Sequence, residues 1–60
     1  MNSLIPEFLD EVKNINSGTC GTVDANYSEN GVDYIDVIVG EHMYCRMLQS
    51  NWEVVTKYKE

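Results

Sequence analysis

"TVDANYSENGVDYIDVIVG", residues 22–40, carries the strongest structural signal in the chain. Two runs rich in Val, Ile and Tyr flank Asn30-Gly31, a pair that favours the tight turn of a β-hairpin because both residues tolerate positive φ. Register decides which side chains share a face, since a slip of one residue turns a whole strand over. A two-residue Asn30-Gly31 loop sets Tyr27 beside Tyr34 and Ala25 beside Asp36, which mixes apolar with charged neighbours. A three-residue loop, Glu29-Asn30-Gly31, with Gly31 in the left-handed position of a bulge, sets Ala25 beside Ile35 and Val23 beside Val37. The second register yields one clean apolar face, and the pattern favours it.

The same test extends toward the C-terminus. A three-residue turn at Gly40-Glu41-His42 places Met43, Cys45 and Met47 beside Val39, Val37 and Ile35, and sets Arg46 opposite Asp36, so that charge and hydrophobicity agree. Residues 41–49 also fit a short helix, because Met43 with Met47 and Tyr44 with Leu48 stand four apart. A tight turn at Ser50-Asn51 then brings Trp52, Val54, Thr56 and Tyr58 onto the same face. At the other end, Ile5, Phe8, Leu9, Val12 and Ile15 recur at three- and four-residue spacing with polar residues between them. That spacing predicts a helix from Pro6 to Ile15, opened by a proline tolerated in the first turn and stopped at "NSGTCG".

The expected fold is therefore α+β in a single domain, residues 1–60: an N-terminal helix packed on one face of a four-stranded antiparallel meander. The alternative is α-β-β-α-β with a short helix at 41–49. The expected inner face is Val23, Ala25, Tyr27, Ile35, Val37, Val39, Met43, Cys45, Met47, Trp52, Val54 and Tyr58, covered by Ile5, Phe8, Leu9, Val12 and Ile15.

Composition limits the function classes. Sixty residues bury only about 60% of the surface the unfolded chain exposes, so stability is small and association through a homodimer is energetically reasonable. Ten acidic against four basic side chains give a formal charge of −6. That balance argues against direct nucleic-acid binding, where Lys and Arg neutralise phosphates, and against an anionic membrane. It favours a partner with a basic surface. Glu7, Asp10 and Glu11 interrupt what a signal peptide would need, and no apolar run spans a membrane, so a cytoplasmic protein with reduced Cys20 and Cys45 is expected.

Chemistry-bearing patterns are sparse. His42 is the single histidine, in an expected turn, with no triad around it. His42 and Cys45 have metal-like spacing, but they form only half of a structural zinc motif. Asp33 with Asp36 and Asp10 with Glu11 read as solvated charge, and the four glycines have no phosphate-cradling spacing. No enzyme activity, cofactor or metal is expected.

What remains is a surface. The favoured register turns Tyr34, Asp36, Ile38, Tyr44, Arg46, Leu48 and Val55 away from the helix, as a partner-binding face of apolar and aromatic side chains with charges among them. The function this suggests is a small acidic binding module that inhibits or regulates a larger protein. In size and charge the chain resembles the inhibitors that phages and mobile elements encode against host enzymes or defence systems. Two other readings stand beside it: an acidic mimic of nucleic acid that fills a DNA- or RNA-binding channel, and a structural homo-oligomer.

Overall fold

The computed structural model describes residues 5–58. They form five strands: β1 Glu11–Asn14, β2 Cys20–Glu29, β3 Val32–Val39, β4 His42–Leu48 and β5 Trp52–Thr56, with a 3₁₀ turn at Gln49–Asn51 before the last. Every pairing is antiparallel, and the order across the sheet is β4-β3-β2-β1-β5. The expected α+β architecture is thus overturned. No α-helix occurs among the described residues, and the fourth strand of the expected meander leaves its neighbour to pair with β1 at the far side.

The N-terminal correction has a physical basis. Of the five residues expected to form a helix stripe, only Val12 is buried; Ile5, Phe8, Leu9 and Ile15 are exposed. An isolated helix of about ten residues is marginal by itself. As the strand β1, the same segment has both backbone edges hydrogen-bonded, to β2 on one side and β5 on the other. Its inward positions are two apart, Asp10 and Val12, while Glu11 and Lys13 are exposed. The hairpin that follows is closed locally: Asn14 Oδ1 accepts from the N–H groups of Asn16 and Ser17, and Gly18 takes a left-handed φ of 79°.

The β2–β3 turn uses the two-residue loop, with Asn30 at φ 52° and Gly31 at φ 79°. Tyr27 therefore pairs with Tyr34 and Ala25 with Asp36, in the register that the alternation disfavours. A bulge at Asp24 then restores Val23 opposite Val37. One extra residue reconciles the best turn with the best core pair. The β3–β4 turn is also two residues, Gly40-Glu41, with Gly40 at φ 62°. A second bulge, Cys45-Arg46 opposite Asp36, returns Met47 to Ile35.

These bulges break the expected alternation of faces. Val23, Ile35, Val37 and Trp52 line the core with Val12, and Val39, Met47 and Val54 pack against them. Tyr27 and Ala25 instead share the outer face with Tyr34 and Asp36, Met43 pairs with Ile38 on that same outer face, and Cys45 and Tyr58 are exposed. Without a helix to cover it, the apolar face is buried by curling the sheet. The extents of 29 × 29 × 26 Å are nearly equal, whereas one flat layer is about 10 Å thick. Gly21 makes the curl tight: a Cβ there would stand 2.7 Å from the Ile38 carbonyl oxygen and 2.5 Å from Val37 Cγ1.

Candidate functional site

The outer face of β3 and β4 is built from cross-strand pairs. Tyr34 stands opposite Leu48 and Ile38 opposite Met43, with Val32 beside Tyr34 along β3. Val32, Ile38, Met43 and Leu48 are all exposed large apolar side chains, and Tyr34 is half-buried. Four of the expected contact residues, Tyr34, Asp36, Ile38 and Leu48, do share this face.

Asp36 lies at the centre, where both bulges meet. Its Oδ1 accepts from the Tyr27 hydroxyl at 2.8 Å and from the Arg46 backbone N–H at 3.0 Å. Burial first, and then the bond to the Asp36 carboxylate, holds the Tyr27 phenol above its ordinary pKa. The bulge swings Arg46 into a left-handed φ of 55°. From there its guanidinium lies 4.8 Å from the centre of the Tyr34 ring and pairs with Glu29. The Tyr27 and Tyr34 rings sit 5.9 Å apart. Several of these groups are exposed, so the ion pair itself adds little stability. Its effect is positional: the carboxylate, phenol and guanidinium restrict the Tyr34 ring beside Val32 and Leu48.

Two expected contact residues lie elsewhere. Tyr44 pairs with Val37 and so belongs to the concave side of the sheet, because the β3–β4 loop is one residue shorter than alternation predicts. Val55 is the bulged residue of β5, and β2 and β1 separate it from β3. Met43 takes the place of Tyr44 on the outer face, while Val32 stands there by the same alternation that turns Tyr34 outward. Sequence alternation missed Met43 because the two-residue β3–β4 turn reverses the parity of β4 as far as Tyr44, and the second bulge restores it at Met47 and Leu48. The signal for that bulge is slight: nothing in "YCRM" marks Arg46 as left-handed.

The rim of the outer face carries more acid than base. Glu11 and Lys13 of β1 pair with Thr22 and Cys20, which places them on the outer face with Glu29 and Asp36. A shallow hollow lined by Glu11, Cys20, Thr22, Ile38 and Gly40 continues the surface. Both cysteines are free and exposed, which corrects the expectation of an inward Cys45 thiol. Among the described residues, no three His, Cys, Asp or Glu side chains come together as a metal site, and no helix is long and apolar enough to cross a membrane.

Comparison with protein-family models, with curated proteins and with solved structures finds no match, so the functional reading stands on the chain's own residues.

Proposed function

We propose that this protein is a non-enzymatic binding module that docks its outer β3–β4 face on a larger protein and thereby blocks or redirects it. One observation carries the reading: Val32, Tyr34 and Leu48 on one side of Asp36, and Ile38 with Met43 on the other, present apolar and aromatic side chains on a face that no other element among the described residues covers. Exposed apolar and aromatic side chains set around a few fixed charges are what protein interfaces are built from. Arg46 is partly neutralised by Glu29, so the surroundings are net acidic and favour a partner whose apolar patch has a basic rim.

The test compares capture of the partner by wild type with capture by Ile38→Asp and Tyr34→Ala. Both variants are expected to weaken binding at least tenfold while the circular dichroism and melting curve stay close to wild type. Undiminished binding by Ile38→Asp refutes the docking face. Binding that collapses with added salt but ignores both substitutions points instead to nucleic-acid mimicry through the carboxylates. Sedimentation at tens of micromolar separates the third reading, because a tight dimer whose dissociation follows Ile38→Asp assigns the face to a second copy.

A further inference from the structure

The curl of the sheet brings its two edges together over one cleft on the concave side. Tyr44 and Met47 of β4, Trp52 of β5, and Asn14, Ser17 and Thr19 of the β1–β2 hairpin wall a volume of about 130 Å³. Trp52 is 7% exposed, and its indole N–H, shut from solvent, donates to no acceptor among the described residues. Buried donors almost always find a partner, and this one belongs to a side chain that walls an open volume.

The neighbouring polar groups have the same sense. Asn14 Oδ1 is already occupied by two backbone N–H groups, which leaves its amide nitrogen to donate. Thr19 Oγ1 accepts from the Ser17 hydroxyl, which leaves its own proton free to donate. The cleft is donor-rich, its other walls are a phenol ring, an indole and a thioether, and neither Lys nor Arg lines it.

We propose that this cleft binds a neutral carbonyl carried on a small apolar group, the carbonyl oxygen accepting from Trp52 Nε1–H. The size fits: an apolar cavity of about 150 Å³ holds a benzene molecule. A carboxylate is disfavoured by the missing cation and by the chain's charge of −6. Because the indole N–H is shut from solvent, binding requires a wall of the cleft to give way as the carbonyl arrives, and Met47, unbranched, is the most adaptable of them. The docking face lies on the opposite side of the sheet, so the two readings fail separately.

The chain has a single tryptophan, so the indole N–H gives one resolved nitrogen–proton signal. Titration of the full chain with 2-pyrrolidinone at millimolar concentration is expected to move that signal saturably, with backbone shifts at Ser17, Thr19, Tyr44 and Met47, and to slow exchange of the indole proton with solvent. Trp52→Phe is expected to lower the affinity about tenfold, the usual effect of one lost hydrogen bond. If that variant does not fold, the exchange measurement on wild type decides alone. N-acetylprolinamide binding tighter than the free lactam assigns the carbonyl to a peptide, and the reverse assigns it to a small molecule; either supports the proposal. It is overturned if no saturable shift occurs, if cyclopentanecarboxylate binds as well as the lactam, if benzene does, or if a bound water keeps its contact with the indole proton at saturating lactam.

Discussion

Asp10 is the one buried charged residue among those described, and three donors surround it: Lys57 Nζ at 2.6 Å, the Tyr58 N–H at 2.8 Å and the Glu7 N–H at 2.9 Å. Burial alone raises its pKa, but the Lys57 bond and the two backbone donors outweigh it and hold the carboxyl below its ordinary 3.8. Stability from Asp10 is therefore complete above that value and drains away as pH falls below it. Lys57 shifts the other way, raised first by its bond to Asp10, and its contribution is lost as pH climbs through its elevated pKa above 10.5. Asp10→Ala is expected to cost about 1–3 kcal/mol, since it removes three hydrogen bonds to a charged acceptor, and to flatten the acid limb of a plot of urea midpoint against pH. A wild-type acid limb retained in the variant would remove Asp10 from that role. The burial of Asp10 was not legible in the sequence, where it read as one of several solvated acids, because two of its three partners, Lys57 and Tyr58, are 47 and 48 positions away. Gly21 belongs to the same scale. Gly21→Ala is expected to destabilise by about 1–3 kcal/mol or more, because the clash includes backbone that cannot move aside.

At the scale of elements, turn chemistry prevails over alternation. Asn30-Gly31 fixes a two-residue loop whose register taken alone would ruin the core, and the Asp24 bulge repairs it within β2. Gly31 has open space around its missing Cβ, so Gly31→Ala isolates the left-handed backbone cost, expected at about 1 kcal/mol. A chemical-denaturation series should thus rank Gly21→Ala above Gly31→Ala, and the reverse order would show that the strand approach at Gly21 is loose. The strands β2, β3 and β4 and the inward set Val23, Ile35, Val37, Met47, Trp52 and Val54 were legible, because β-branched runs and turn residues agree there. The bulges were not, since a single inserted residue leaves composition unchanged. Nor was β1: Ile5, Phe8, Val12 and Ile15 satisfy a helical spacing that only pairing with two distant strands overrides. The outer face was read correctly along β3, at Tyr34 and Ile38, and at Leu48 beyond the second bulge, and misread at Tyr44, which stands between the short β3–β4 turn and that bulge.

The whole molecule depends on contacts between its two ends. β1 is held by β5, and Trp52 of β5 completes the core, so no subset of strands buries the apolar face alone. Truncation after Asn51 is expected to abolish the cooperative melting transition and leave an unfolded chain; a surviving transition would show that the β2–β4 meander is stable by itself. Because such pairing spans most of the sequence, refolding should fall in the millisecond-to-second range of all-β domains rather than the microseconds of helical bundles, as stopped-flow fluorescence of Trp52 can measure. Both outer edges are interrupted, β4 by the Cys45-Arg46 bulge and β5 by Val55, which discourages edge-to-edge association and favours contact through a face. Lys57 reaches the Ile5 carbonyl at 3.1 Å, and that meeting makes the order in which the strands are synthesised dispensable. A permuted gene that joins the two ends through a short glycine-serine tether and starts translation at Gly31 should yield the same topology, with its new ends at an exposed hairpin tip.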